Sequence, residues 1–446
     1  MNIARCNVKF FFVATICMVF QSVYVFTSHN ASRYFPFLER PEEYVRRGRS
    51  HISPSVFFSK ASTAFKRGGG NTGIPELWGN YDLRDVIKSL EIVTGAGFTN
   101  PIVEERGPND EWIDKSIKYK VEGKVKARGL IVNYRQELFH GFSIGASLPV
   151  MHVNTNDRFT FVQEDSAYEL QNLRDGEVLQ LDRIRRKVHA DLGLKGGDWE
   201  QTGVGDLDVT IQYNKIWDHP WVLRSIDLSM MTGLVVPMGS NSDTRYPSSV
   251  SFMGNGHWTW YLDNVTEFEL KQDWKLGCML GFMYQFDNTR QLRIPTYQEP
   301  AIFSALLADV DIDRGVTFKV SPYFCAQNLT DGVNFHLRYT YLRHNEDRWA
   351  DKRQNPTTDS YLQLSPGDVI FTDALTQEDI SSNISAKKSL TRWRSHYITL
   401  QFSYDSKEAA CNWILDPTIY LTYDYLMNGN GVCKTHQLAV GVELHF

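Results

Sequence analysis

Apolar and polar residues alternate along most of the chain from about residue 87 onward, with a period of two. In 203–216 (GVGDLDVTIQYNKI) the odd positions from 207 to 213 are apolar and the even positions from 206 to 214 are polar. The segments 274–286 and 434–446 alternate in the same way. A period of two puts the two sets on opposite faces of a β-strand, so these segments are predicted to be strands with one apolar face.

Twelve such segments follow one another, at 88–98, 116–136, 140–153, 203–216, 222–237, 256–271, 274–287, 313–328, 332–344, 392–406, 411–427 and 434–446. The connections between them alternate in length up to the last one, 428–433, which is short. Short ones lie at 137–139, 217–221, 272–273, 329–331 and 407–410, and long ones at 99–115, 154–202, 238–255, 288–312 and 345–391. An array with its short turns at one edge and its long loops at the other is typical of an outer-membrane barrel.

A lipid bilayer accounts for this pattern. Every backbone donor and acceptor inside a membrane must be satisfied by the protein, so a spanning sheet has to close on itself. A secreted antiparallel sandwich would also alternate, but its strands are about 5–6 residues long and its loops need not segregate by edge. We therefore predict an all-β fold, namely a transmembrane antiparallel up-and-down β-barrel of about twelve strands with short periplasmic turns and long external loops.

The amino-terminal residues predict export. Arg5 and Lys9 precede the apolar run 10–20 (FFFVATICMVF), and small or polar residues follow it. This order is typical of a secretory signal peptide, with an uncleaved signal anchor as the alternative. We predict a signal peptide at 1–31, a basic and aromatic periplasmic extension or plug at 32–86, and the barrel at 87–446. Four prolines and the glycines 68–70 argue against regular structure in the extension.

The number and the positions of the aromatic residues also favour a barrel. The 446 residues include 26 Phe, 21 Tyr and 11 Trp, yet the mean hydropathy is −0.34. Rings cluster near segment ends, among them Trp217, Trp274, Tyr423 and Tyr425, as in the aromatic girdles of outer-membrane barrels. The net charge of −5 gives no reason to expect nucleic acid as a partner.

The signal segment, the periodic strands and a last strand ending in Phe446 (QLAVGVELHF) resemble those of bacterial outer-membrane barrel proteins. For Phe446 the resemblance implies the assembly signal that the barrel assembly machinery reads. The motif GVGDLDVTIQYNKIW at 203–217, followed by LVVPMGS at 234–240, resembles the phenol-degradation (MetA-pathway) outer-membrane transporter family. The resemblance implies the outer membrane of a Gram-negative-type bacterium, with membrane lipids, lipopolysaccharide and small solutes as further partners.

The alternation of inward and outward positions along each strand (the strand parity) predicts which residues line the lumen. Arg or Lys facing lipid at the midplane would cost about 2–4 kcal/mol, so charged residues on the strands are placed inside. The pore-lining candidates are Lys124, Lys126, Arg128, Asp206, Asp208, Asp227, Glu267, Glu269, Lys275, Lys319, His336, Arg338, Asp424 and Glu443. Such charges could select solutes in an open channel or form a salt-bridge network that closes the lumen.

Loop 154–202 is predicted to contain a helix at 177–192, because apolar residues recur there three and four positions apart. Its other face is basic, with Arg183, Arg185, Arg186 and Lys187. The helix could constrict the lumen, lie on lipopolysaccharide or be solvated outside the barrel.

We expect an outer-membrane channel for the passive passage of small solutes through a charged lumen. A structural or adhesive surface barrel that acts through its long loops is the alternative. A membrane-embedded hydrolase is a third reading, since His396 is predicted to face outward near the rim. The sequence has no HExxH or Walker pattern and no CxxC pair, so we expect no enzyme activity, no cofactor and no metal.

Overall fold

The computed structural model describes residues 32–41, 50–94, 98–219, 223–351, 361–365, 368–371, 388–409 and 416–446, so the predicted signal peptide lies outside the described residues. Twelve antiparallel strands form one closed ring. They are β1 (His51–Ala61), β2 (Lys118–Phe139), β3 (Phe142–Phe161), β4 (Leu207–Asp218), β5 (Ser225–Val236), β6 (Thr259–Lys271), β7 (Trp274–Gln285), β8 (Thr317–Thr330), β9 (Val333–His344), β10 (Trp393–Asp405), β11 (Thr418–Asn430) and β12 (His436–His445).

Each strand pairs with its neighbours in chain order, and β1 closes the ring by pairing with both β2 and β12. The short turns 140–141, 272–273 and 331–332 lie at one end, here called the turn end. The long connections lie at the other end, here called the loop end. The predicted twelve-stranded antiparallel barrel is confirmed.

The first barrel strand lies inside the segment that the sequence assigned to an extension, so the predicted barrel boundary at residue 87 comes too late. Pro54 sits within β1, and the ladder to β12 skips Ser53 and Pro54 while the ladder to β2 continues past them. Proline has no N–H to donate, which explains the interruption on one side. The inward positions of β1 include small serines, so the strand lacks the strong contrast that marked the others.

The predicted strand at 88–98 is wrong, because Leu83–Thr94 forms a helix, α1. Its apolar residues at 83, 86, 87, 90 and 93 are buried. Their spacing of three and four residues is the period of a helix. The strand prediction considered only alternate positions and therefore missed it.

The outer wall of the ring is apolar. On β7, Leu276 and Leu280 are 44% and 53% exposed, whereas the intervening Met279 is buried. The same parity holds on β10, where Leu400 and Phe402 are exposed and Thr399 and Gln401 are buried. A continuous exposed apolar belt on a closed ring of strands is what contact with lipid acyl chains requires.

Three inward-facing tyrosines lie flat against the wall over cross-strand glycines. They are Tyr261 opposite Gly233, Tyr323 opposite Gly277 and Tyr420 opposite Gly441. A Cβ on Gly277 would come within 2.1 Å of the Tyr323 ring. These positions therefore require glycine, because any side chain would displace the ring.

The long loops build a cap with its own hydrophobic core beyond the loop end. Its helices are α1, α2 (Pro101–Arg106) and α3 (Asp175–Asp191), so the helix predicted at 177–192 is confirmed. The cap core contains Leu90, Trp112, Leu181, Ile184 and Phe303. Its strands are Tyr81–Asp82, Trp199–Val204, Asn288–Ile294, Leu306–Asp313, Arg348–Asp351, Tyr361–Ser365 and Asp368–Phe371. No helix among the described residues is long and apolar enough to cross a membrane.

Smaller elements join the cap to the ring. A three-stranded sheet is formed by Ala64–Phe65, Asn71–Thr72 and Val432–Cys433. Single turns of 3-10 helix lie at Pro75–Trp78, Tyr168–Leu170, Ala301–Phe303 and Ser389–Thr391.

Residues 32–41, here called the lumen segment, lie inside the ring. At the loop end the Arg33 carbonyl accepts a hydrogen bond from the Cys433 amide, and the Thr435 hydroxyl donates to the Tyr34 carbonyl. Deeper in the ring, the guanidinium of Arg40 lies 3.4 Å from the ring centre of Tyr420. Ser50 is at the turn end, where its carbonyl accepts a bond from the Phe446 amide. Residues 32–41 therefore occupy the lumen.

Candidate functional site

Most of the predicted pore-lining residues face the lumen and are buried. The exposed fraction is below 8% for Asp206, Asp208, Asp227, Glu267, Lys319, His336, Arg338, Asp424 and Glu443. Lys275 and Glu269 lie on the same face nearer the turn end and are partly exposed. The inward location of these charges agrees with the expectation from parity.

The lumen charges pair with one another across strands. Lys275 lies 2.8 Å from Glu267, which also accepts a hydrogen bond of 3.0 Å from the Tyr323 hydroxyl. The Tyr261 hydroxyl donates to Asp208 at 2.9 Å. Lys275 and Glu267 are of opposite sign, and the two tyrosines donate to buried carboxylates. These contacts form a network of the kind that was one of the two expectations for the lumen.

Asp206 has a different position from the other acids, just before β4. One carboxylate oxygen accepts a hydrogen bond from the Gly239 amide and the other from the Gly254 amide, each at 2.8 Å. Asp206 therefore ties the connection between β5 and β6 to the rim of the barrel, which is a structural role.

Three of the candidates do not face the lumen. Lys124, Lys126 and Arg128 are exposed on β2, while Val125 and Ala127 between them are buried. The prediction that placed these cations inside is wrong. β2 is 22 residues long and continues beyond the apolar belt, so outward cations near its loop end meet water and headgroups instead of acyl chains.

The lumen segment is held by two of the predicted residues. Lys319 lies 2.9 Å from Glu39 of the segment and 3.1 Å from Asp263 of β6. Arg338 donates to the Glu39 carbonyl and lies 3.9 Å from Asp424. These contacts bind the segment to two strands of the ring, β8 and β9, through charged side chains.

A cavity of about 180 Å³ lies above the lumen segment at the loop end. Its aromatic and charged lining residues are Arg33, Tyr34, Trp78, Asp243, Tyr246, Arg293, Arg314, His344, Asp347, Trp349 and Trp393. We call it the vestibule cavity. Strand periodicity could not reveal it, because most of these residues lie in loops or in the lumen segment.

Two guanidinium groups in the vestibule cavity have unused donors. Arg33 donates through one nitrogen to the carbonyls of Leu390 and Thr391, and its other terminal nitrogen is buried with no partner among the described residues. Arg314 pairs with Asp347 at 3.1 Å, and its Nε is likewise buried without a partner there. Buried donors normally have an acceptor. An anionic group in the cavity would accept hydrogen bonds from the free nitrogens of both arginines.

Several other polar groups of the cavity have partners in the protein, although the buried Nε1 of Trp349 has none among the described residues. The Asp347 carboxylate bonds to His344 Nε2 at 2.9 Å, and the Thr317 hydroxyl lies 2.8 Å from His344 Nδ1. Burial opposes ionisation of Asp347, but the Arg314 ion pair and the His344 bond outweigh it and hold the pKa of this carboxyl well below its usual range. Arg293 donates to three backbone carbonyls, which makes it a structural cross-link.

One group of side chains within the described residues could hold a metal ion. Ligand atoms of His51, Glu443 and His445 lie within 4.8 Å of one another at the turn end. Two imidazoles and a carboxylate are ligands that Zn²⁺ accepts. The expectation that the protein needs no metal stays a prediction.

A closed ring of twelve strands with an apolar outer belt and a polar, charged interior defines an outer-membrane β-barrel protein, and the chain is of this class. Its location is the outer membrane of a Gram-negative-type bacterium, with membrane lipids around the wall. The sequence-based expectations for class and location are confirmed.

No family model matches the chain, and no curated protein matches it significantly. Among solved structures it is similar to an outer-membrane channel from Pseudomonas putida, with 10% identity over 92% of this chain and 100% of that one, at a TM-score of 0.47. It is also similar to a Pseudomonas aeruginosa FadL homologue, with 9% identity over 95% and 99% of the two chains and a TM-score of 0.32. A third is the Pseudomonas putida toluene transporter TodX, with 7% identity over 95% and 94% and a TM-score of 0.29. The assignment to the barrel class rests on the ring of strands itself.

Proposed function

We propose that the protein is an outer-membrane channel for the passive passage of small anionic solutes, with the vestibule cavity as the site where a solute binds first. The observation that carries this proposal is the pair of buried donors on Arg33 and Arg314 that have no partner among the described residues. A carboxylate or another small oxyanion accepts such donors in short, charge-assisted hydrogen bonds.

The aromatic walls of the cavity narrow the class of solute. Trp78, Trp349 and Trp393 line it, and the guanidinium of Arg33 lies 4.9 Å from the ring centre of Trp78. A cavity of about 180 Å³ is smaller than the roughly 300–1,000 Å³ of pockets for drug-sized ligands. A small flat anion therefore fits better than a long acyl chain.

The lumen segment is the gate in this proposal. It lies between the vestibule cavity and the turn end, and its charges pair with Lys319 and Arg338 of the wall. A solute can pass only when these contacts open. Passage needs no energy source if the segment leaves and returns thermally, which happens on a microsecond-to-second timescale for such elements.

Conductance in planar bilayers tests the proposal. The chain without residues 32–41 should conduct steadily, whereas the intact chain should conduct in brief openings. Arg314→Gln should shift the reversal potential away from anion selectivity, while the control Arg158→Gln, which removes an exposed cation from the outer wall, should leave it unchanged. A folded protein that neither conducts nor passes solutes into liposomes, with or without the segment, would refute the channel.

A surface barrel that acts through its loops remains the second candidate, and the cap favours it. The cap core is separate from the residues packed inside the ring, so the loops form a folded body that a partner could recognise. Replacing the cap by short turns would abolish adhesion in a cell-binding assay if this candidate holds, and would leave conductance intact if the channel holds.

We propose no enzymatic activity. His396 faces outward as predicted, and its Nδ1 lies 2.6 Å from the Tyr339 hydroxyl and not from a serine hydroxyl. Phospholipid hydrolysis no faster than the protein-free background, in wild type as in His396→Ala, would support this proposal. As partners we propose the barrel assembly machinery, acting on the exposed carboxyl-terminal Phe446, and lipopolysaccharide.

A further inference from the structure

Four arginines meet on the outer wall of the barrel at the loop end. Arg343 and Arg394 lie on β9 and β10, and Arg67 and Arg392 reach the same place from the adjoining loops. Together they line a cavity of about 350 Å³ whose remaining lining residues are Tyr341, Trp393 and Asn430. We call this cavity the arginine pocket.

Two of these cations are direct cross-strand partners. Arg343 lies opposite Arg394 in the register of β9 and β10, and both are exposed. Like charges directly opposite each other destabilise a sheet pair. The pair is therefore unfavourable in the protein alone and becomes favourable when an anion lies between the two guanidinium groups.

The remaining contacts of the pocket leave its charge uncompensated. Arg67 donates a hydrogen bond of 2.8 Å to the Arg392 carbonyl. Because a carbonyl carries no net charge, this bond does not neutralise the Arg67 guanidinium. None of the four arginines has an ion-pair partner within the part of the chain that the structure describes. Burial, then the neighbouring cations Arg33 and Arg392, lower the pKa of Arg67 to about 10, and Glu346 opposes this only in part.

The position of the pocket relative to the apolar belt indicates what it meets. Arg394 has the same outward parity as Leu400 and Phe402, and Arg343 the same as Leu337 and Tyr339. The pocket thus lies on the lipid-facing side of the wall, directly above the belt. This is the level of headgroups in the external leaflet, and the sheet separates it from the lumen.

We propose that the arginine pocket binds a phosphate group of an outer-leaflet lipid. Planar guanidinium groups bind phosphate oxygens in paired hydrogen bonds, and four of them around one cavity match a phosphate monoester better than a carboxylate. Acyl chains of the same lipid would lie along the apolar belt below. The site is independent of the proposed transport, because no solute on its way through the lumen reaches it.

Native mass spectrometry of the untagged, folded chain in detergent tests the site. The probes are lipid A with its phosphates, the same lipid A after phosphatase treatment, and inorganic phosphate. The test variant is Arg343→Gln/Arg394→Gln, and the matched control is Lys124→Gln/Lys126→Gln, which removes two exposed cations from the wall outside the pocket. Heat-modifiable migration in gels confirms that each variant is folded.

One phosphorylated lipid A should remain bound per wild-type chain and per control chain, with at least a tenfold loss of affinity in the arginine variant. Dephosphorylated lipid A should bind wild type at least tenfold more weakly. Equal losses in the arginine and lysine variants would overturn the pocket in favour of general surface charge. Binding of inorganic phosphate that lipid A does not compete with would overturn the lipid as its source.

Discussion

Lys319 couples the lumen segment to the wall, and its removal should release the segment. Its Nζ lies 2.9 Å from Glu39 and 3.1 Å from Asp263, and its side chain is 8% exposed. Removing one partner of a buried pair costs about 3–5 kcal/mol, because the remaining charge stays buried and uncompensated. In Lys319→Met this cost is shared between Asp263, which stays in the wall, and Glu39, which can leave.

If about half of the cost falls on the docked segment, the docked state loses about 2 kcal/mol. That corresponds to a roughly 30-fold rise in the ratio of undocked to docked protein, at about 1.4 kcal/mol for each factor of ten. The measured quantity is the fraction of time that a single molecule conducts in a planar bilayer. It should rise by the same factor as long as the open state remains the minority.

Lys275→Met is the matched control. Lys275 forms a similar lumen ion pair with Glu267 at 2.8 Å, but Glu267 belongs to the wall and keeps its bond from Tyr323. The control should therefore lower stability without changing the open fraction. An equal rise in both variants, or no rise in Lys319→Met, would refute the role of the lumen segment as a gate.

Three further outcomes follow from buried contacts elsewhere. Burial lowers the pKa of His189 in the cap to about 3 from an ordinary 6.5, so the cap should lose about 5 kcal/mol of stability as the pH falls through this window. Hydrogen exchange of α3 in wild type and His189→Gln checks this, and an identical pH dependence of the two proteins would contradict it. Gly277→Ala should destabilise the barrel by about 1–3 kcal/mol, because Tyr323 must leave its place over the glycine. Urea unfolding in detergent measures this loss of stability, and Gly176→Ala, where an added Cβ contacts nothing, is the control. Deletion of Phe446 should slow insertion by the assembly machinery in cells while leaving refolding in detergent unchanged, and equal rates in cells would argue against its role as a signal.

The sequence predicted the barrel well because lipid on one side and a polar lumen on the other impose strict alternation. That rule places Asp208, Glu267 and Lys275 correctly. It fails for Lys124 and Lys126, because β2 continues beyond the membrane and an outward cation there carries no penalty.

Other features left no periodic signal. Pro54 and the small inward serines concealed β1, although the strand closes the ring. The vestibule cavity joins Arg33 of the lumen segment to Arg314, which lies in a connection far along the chain. Such a site depends on where the lumen segment lies inside the ring, and neither parity nor spacing indicates that.

The lumen segment places part of the chain inside the closed ring, and we call that part the thread. The thread reaches the loop end at Arg33, whereas the chain joins the wall at Ser50 beside the carboxyl-terminal Phe446. The seam between β1 and β12 joins the first and last strands and so closes the ring. Assembly must therefore either close the seam around the thread or pass the thread through a finished ring, and in the second case every newly inserted molecule is an open pore until it is threaded.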